Sequence, residues 1–393
     1  MILPLVLALA VQAVQADQAT VIEVRSMTPR RVAVECVVKL PELNLREEKA
    51  LAAAIAAMEM GTRRHSADTM QDLLDGQRPE ITQFSDHVRI SLLAPRDGAS
   101  SALSILFGLT NQTGFELKSI AALEARTKER IGQGYWSRLY QSKIDGRVLT
   151  MGEVEGTYSK VFRRSQMVIT VSGAPSTVEP TQLWQSLERN WQKRSVLFRE
   201  APSVAAEVDT YGSSAVGLKG AEFAWGSQGP AKLLATIALG SGKGSALFHS
   251  WRQKKGWTYV QECAWLPTRA GFQPVFVGIT ANPANTTELE PWRSALLEEI
   301  EGWSEEDRAR ALGFANGIWK NGIGFSSFLG SADRTLTTSP SDQAYLLAYW
   351  FAKTGSVFET DRFLSLLEST DLEALRATAK ELVSGAELVR IGT

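Results

Sequence analysis

The chain spells out one order of secondary-structure signals twice, and this repetition limits its fold more than any single motif does. "ATVIEV" and "RRVAVECVVKL" alternate apolar and polar residues as paired strands do. "LREEKALAAAIAAMEMGT" reads as an alanine-rich helix ended by Gly61. "HSADTMQDLLDG" reads as a second helix, with Ser66 as N-cap and Gly76 as stop. "ITQFSDHVRISLLAP" returns to strand character, and "ASSALSILFGLTNQ" to helix. After the polar helical "IAALEARTKERIGQGYWSRLYQSKI", the strand "SQMVITVSGAP" closes the first half. "RSVLFREAPSVAAEVDTYGSS" reads as a linker. Strand-like "AEFAWGSQG" and helical "PAKLLATIAL" then open a second run. A glycine turn, the helix "ALFHSWRQKKG" and the strands "WTYVQECAWLP" and "FQPVFVGITANP" follow. Four helical patterns and a terminal strand, "AELVRIGT", complete it. Strands bracketing helices in both halves predict two α+β units, each with its own sheet and core. The division falls at 17–196 and 197–393.

Composition narrows the partners. A net charge of -1 over 393 residues, with 44% hydrophobic residues, is a globular balance. It offers no basic stripe for nucleic acid; Arg252, Lys254 and Lys255 read as a solvated helix end. "MILPLVLALAVQAVQADQA" has the length of an export signal, residues 1–16, with cleavage after Ala16 at Val14-Gln15-Ala16. A first strand or a membrane anchor is the other reading of that run. No later segment is long and apolar enough to cross a bilayer, so the expected location is periplasmic or secreted. Cys36 and Cys263 make neither a zinc knuckle nor a disulfide framework; they read as buried thiols, with one long-range disulfide left open. Two N-x-T sequons begin at Asn111 and Asn285. Tyr345, Tyr349, Trp350 and Phe351 share a helical pattern of the kind found in cores and interfaces.

The densest glycine cluster is "IALGSGKGSALFHSWRQKKGWTY". A phosphate loop needs G-x-x-x-x-G-K followed by Ser or Thr; here Gly242-Lys243 is followed by Gly244, and the leading position is Ile237. The dinucleotide form fails at its third glycine, which is Ser245. Gly240, Gly242 and Gly244 therefore read as a structural turn, with nucleotide binding the minor alternative.

"GSGKGSALFHSWRQKKGWTYV" resembles the second-half signature "SxLFxxLRxKxGLxY" of the insulinase or pitrilysin-like zinc peptidases. The matching residues are Ser245, Leu247, Phe248, Arg252, Lys254, Gly256 and Tyr259. "ALAAAIAAMEMGTRRHSADTMQDLLDG" resembles that family's "GLAHFLEHMLFKGTxxRSAxEIxxxLE", with Gly61-Thr62 and Ser66-Ala67 fixing the register. The resemblance spans most of the chain beyond residue 16. It implies the α+β fold of insulinase and the mitochondrial processing peptidase: two similar halves, each a mainly antiparallel sheet packed with helices, closed as a clamshell. It also implies that Arg252 and Tyr259 hold a substrate's backbone carbonyl. Chemistry agrees, since a guanidinium and a phenol both donate hydrogen bonds to a carbonyl or a developing oxyanion.

The departure lies in the metal site. In that register the H-x-x-E-H motif falls on Ala52, Ile55 and Ala56. Two imidazoles at i and i+4 bind zinc and the glutamate activates its water; alanine and isoleucine do neither. The chain's histidines are His65, His87 and His249, and no two lie four apart. His65 with Asp68 reads as a solvated helix start, and Glu124 or Glu129, where the distal metal ligand would fall, as surface charges. No G-x-S-x-G elbow supports a serine mechanism.

The expectation is a non-catalytic relative of these peptidases that binds no cofactor itself. It would pair with a zinc-bearing homologue, enclose peptide substrate, and contribute Arg252 and Tyr259 to the partner's site. The alternative is a scaffold with the peptidase fold and no part in proteolysis.

Overall fold

The computed structural model describes residues 9–11, 18–24, 30–111, 149–189, 214–226, 228–330, 340–356 and 359–391. The polar stretch expected around 120–144, the expected linker near 194–213 and residues Glu124 and Glu129 lie outside them. The chain divides into two compact units. The first comprises Met1–Ile131, Ser142–Ala206 and Ser339–Val357; the second comprises Gly132–Gln141, Glu207–Thr338 and Phe358–Thr393.

The first unit carries a sheet of six strands among the described residues: β1 (Leu9–Val11), β2 (Thr20–Val24), β3 (Arg31–Lys39), β4 (Glu80–Gln83), β5 (His87–Pro95) and β6 (Met167–Ser172), in the order β1-β2-β6-β3-β5-β4. The β2–β6 pair is parallel, and the others are antiparallel. The segment expected as one strand is the hairpin β4–β5, because Phe84 turns the chain by donating its amide to the His87 carbonyl at 2.8 Å. Alternation sends Val32, Val34, Cys36 and Val38 of β3, with Val88, Ile90 and Leu92 of β5, to one face. They meet α1 (Leu45–Met58), α3 (Ala99–Asn111) and α4 (Met151–Val161) in one continuous core. α1 is started by a capping box of Asn44 and Glu47. Short α2 (Ala67–Leu73) is capped by Ser66, whose hydroxyl accepts from Thr69 N at 3.2 Å. α5 (Pro180–Arg189) seats Trp184 edge-on to Phe107.

Among the described residues the strands of the second unit pair antiparallel: β11 (Glu387–Ile391), β7 (Ser214–Lys219), β10 (Gly271–Thr280) and β8 (Phe223–Ala224) in that order, with β9 (Val260–Pro267) also on β10. β7 lies inside the sheet, although the sequence pattern gave it no separate place. Its helices are α6 (Gly229–Gly240), α7 (Phe248–Lys254), α8 (Glu290–Glu301), α9 (Glu305–Asn321) and α10 (Phe325–Phe328). α11 (Pro340–Thr354) packs with the first unit, and α12 (Glu359–Glu368) and α13 (Leu372–Ser384) complete the second. Trp265 stacks on Phe272 at 4.2 Å and meets Trp319 and Phe328 to form an aromatic core.

α11 departs from a simple division at residue 196. It lies in sequence beyond the second unit's sheet strands β7–β10, yet it packs against β3, β5 and β6 of the first. The sheet face it covers is polar: Glu35, His87, Arg89, Ser91 and Thr170 are all buried there. Arg89 forks onto Glu35, Nε to Oε2 at 2.9 Å and Nη2 to Oε1 at 3.1 Å. Ser91 donates to the same carboxylate at 2.6 Å, and Ser341 of α11 also donates to it. The guanidinium carbon lies 4.2 Å from the ring centre of Tyr345.

Both thiols are free. Burial drives the Cys36 thiol far above its ordinary value and pushes Cys263 up to about 12. At pH 8 the thiolate fraction of Cys263 is then on the order of 10⁻⁴. A thiol-exchange reagent at that pH is expected to label buried Cys36 only after denaturant is added, and the half-buried Cys263 slowly because its thiol stays protonated. Rapid labelling of the folded protein would contradict the packing described.

Candidate functional site

The glycine turn and the helix after it form one structural device. α6 leads into the turn, so the strand that a phosphate loop follows is replaced by a helix. Gly240 closes α6 against β9, where any Cβ would collide with the Cβ of Cys263. Gly242 has a φ of +77°, and a Cβ on Gly244 would strike the Arg310 guanidinium. Gly240 and Gly242 thus each meet a steric demand of the turn itself. Ser245 then caps the helix: its hydroxyl accepts from Phe248 N at 3.3 Å and its carbonyl from His249 N at 3.0 Å.

α7 is wound as a π-helix, with Lys255 N donating five residues back to Ser250 O at 3.1 Å. Such turns are uncommon and recur at functional sites. Trp251 anchors it. The indole is fully buried, donates to the Trp292 carbonyl at 2.9 Å, and lies edge-on to that ring at 4.9 Å. Glu299 of α8 holds the outer face through Lys254 at 2.7 Å, with His249 Nδ1 at 3.7 Å. Gly256, at φ +64°, ends the helix.

Arg252 therefore projects from an anchored helix into solvent, and Tyr259 stands exposed just before β9. The structure brings the two together. The Arg252 guanidinium donates to the Tyr259 backbone carbonyl and lies 5.5 Å from the centre of the Phe248 ring. Tyr259 N donates to Ile279 O at 3.0 Å, fixing its backbone to the sheet. A guanidinium has five donors, and one of those on Arg252 is spent on this backbone carbonyl.

The positions of the metal motif lie elsewhere. Ala52, Ile55 and Ala56 sit on α1, which is buried from Lys49 to Met58, and Ile55 and Ala56 are within the first unit's core. None carries an atom that can ligate zinc, so these residues do not fit the metal and no step through it is drawn for this chain. Among the described residues no group of three His, Cys, Asp or Glu side chains is placed to hold a metal ion. No helix among them is long and apolar enough to cross a membrane. At the second sequon, the Asn285 amide nitrogen is engaged with Thr280 Oγ1 at 3.2 Å.

By sequence, no family model matches the chain and no curated protein matches it. By structure, a protease from Helicobacter pylori superposes with a TM-score of 0.75 at 12% identity, covering 99% of this chain and 100% of that one. The peptidase M16 inactive domain from Pseudomonas fluorescens superposes at 0.69 with 15% identity, covering 97% of each. The chain has the peptidase M16 fold. The two-unit α+β architecture expected from the repeated element order is thus the architecture observed. In this M16 fold the sequence-selected residues divide cleanly: Arg252 and Tyr259 are paired and exposed, whereas Ala52, Ile55 and Ala56 are packed.

Sequence reading missed the polar cluster under α11. Each of its strand residues occupies the polar half of an alternating pattern, which on its own signals a solvated face.

Proposed function

We propose that this chain is a non-catalytic, M16-fold subunit that binds peptide and supplies Arg252 and Tyr259 to the active site of a zinc-bearing homologue. The observation that carries this reading is their juxtaposition. An exposed guanidinium on an anchored π-turn donates to the backbone carbonyl of an exposed Tyr259, in a chain whose metal-motif positions are filled by buried residues without ligating atoms. Donors fixed before reaction stabilise a developing oxyanion without reorganisation, and one such donor is worth about 10²–10³ in rate. The reading includes export: cleavage after Ala16 would make Asp17 the first residue of the mature protein. Zinc belongs to the partner.

The test is reconstitution with a zinc-bearing M16 homologue encoded beside it. The mixture is expected to cleave peptides faster than the partner alone. Arg252→Ala is expected to lower that rate by about 10²–10³-fold with the complex intact, and Tyr259→Phe by a smaller factor. Arg252→Lys is expected to recover little, because an ammonium lacks the planar fork. A mixture no faster than the partner alone would sink the shared-site reading.

A scaffold role is the second reading, favoured by one observation: Arg252 already ties α7 to the start of β9 through the Tyr259 carbonyl. In that case Arg252→Ala lowers stability and leaves the mixture's activity unchanged. Intact mass of the exported chain tests the cleavage site separately.

A further inference from the structure

The geometry points to α11 as an acid-released latch: the helix is held on the first unit's sheet at neutral pH by a neutral His87 and leaves it when that imidazole gains a proton.

His87 is buried at the junction of β5 and α11. Its Nδ1 lies 2.5 Å from the Asp86 carboxylate, and its Nε2 lies 2.7 Å from the Tyr345 hydroxyl on the helix. A carboxylate only accepts, so Nδ1 carries the proton and Nε2 accepts from Tyr345. With the ring neutral the phenol is the donor in the bond joining imidazole to helix; protonation would reverse that bond, leaving the phenol oxygen as acceptor. Phe84 stacks on one side at 4.4 Å, and the Tyr349 ring is tilted against the imidazole at 4.9 Å, so the added charge would be shut away from water.

The surrounding charges balance without His87. Its own strand brings Arg89, with Asp86 just before it; β3 brings Glu35 and Lys39; α11 brings Asp342, Lys353 and the phenols Tyr345 and Tyr349. Of β4's residues only Glu80 is titratable, and it is exposed; β6 has none. Three carboxylates thus face three cations, and Asp86 is already shared with Lys353 at 2.5 Å and Tyr349 at 3.4 Å. Protonation places a fourth positive charge in a closed site and turns Nε2 into a second donor facing the Tyr345 oxygen.

Burial lowers the proton affinity of His87 below the ordinary 6.5, and Arg89 and Lys353 lower it further; Asp86 opposes this without reversing it. A group whose folded value is depressed in this way as a base stabilises the docked form above the ordinary histidine value. That contribution is lost as pH falls from 6.5 toward the folded value. Asp86 stays ionised through this window: His87 and Lys353 hold its carboxyl below the usual range despite its burial. The step therefore belongs to the histidine.

With three histidines in the chain, imidazole ¹⁵N resonances of the full-length protein follow His87 directly. Hydrogen exchange, corrected for intrinsic rates, reads the helix. Protection of residues 341–354 is expected to fall about tenfold or more between pH 7.5 and 5, with the midpoint of the His87 titration, while α1 stays protected. His87→Gln is expected to abolish the step. Should that variant not fold, Tyr345→Phe removes the donor that favours the neutral ring, and is expected to move the midpoint to higher pH. Flat protection of α11 across this range, loss of α1 in the same step, a step that survives His87→Gln, or an unmoved midpoint in Tyr345→Phe would each overturn the latch.

Discussion

Arg89→Met is expected to destabilise the first unit by about 3–5 kcal/mol. The reason is the charge it leaves behind. Glu35 is fully buried and receives both arms of the guanidinium, with Ser91 and Ser341 completing its shell. Removing one partner of a buried pair strands the other in a low-dielectric site, and this costs more than the pair was worth. The double variant Glu35→Met/Arg89→Met is accordingly expected to recover most of the loss, since a hydrophobic pair of similar volume removes both desolvation costs. Because two units need not unfold together, urea unfolding should be followed by hydrogen exchange at peptides from β3 and β5. A single variant within 1 kcal/mol of wild type, or a double variant worse than the single, would show that this network does not hold α11 in place.

Trp251→Ala is expected to cost the second unit about 3–5 kcal/mol and to loosen the site at the same time. The indole fills the space between α8 and β10: it touches Trp292, and Gly278 lacks a side chain where a Cβ would lie 2.7 Å from the Trp251 ring. Alanine leaves a cavity that the packed strand cannot collapse into, and it removes the hydrogen bond to the Trp292 carbonyl. Trp251→Phe keeps most of the volume and is expected to lose only about 1 kcal/mol. Arg252 is the next residue, so its placement depends on this anchor. Chemical denaturation of the second unit, beside the reconstituted activity assay, separates the two roles. Trp251→Phe should retain activity while Arg252→Ala loses it. Equal activity losses in both would mean that the helix as a whole, and not the guanidinium, is what matters.

Much of the fold was legible along the chain. Alternation found β2, β3, β6, β9, β10 and β11, and caps and glycines bounded α1, α2 and α6, because those signals act over one or two turns of chain. β7 escaped, since its six residues, SAVGLK, carry a central glycine and follow a turn-rich stretch. α4, α5 and α12 escaped as well, although α5 and α12 carry clear apolar stripes. The π winding of α7 has no local signature either. Of the site, residue types and spacing identified Arg252 and Tyr259, but nothing in the spacing shows that the arginine donates to the tyrosine's own carbonyl.

The sequence by itself determined two α+β units, a glycine turn that carries no phosphate-loop signature, and metal-motif positions filled by Ala52, Ile55 and Ala56, which no fold can make into ligands. Only the tertiary structure decided where α11 goes. Glu35, His87 and Arg89 alternate with valines and isoleucines, as strand residues facing water do, and the helix that covers them comes some 250 residues later in the chain. Local pattern reports which side of a strand is polar. Whether that side meets water or a buried helix depends on long-range packing, which carries no local period.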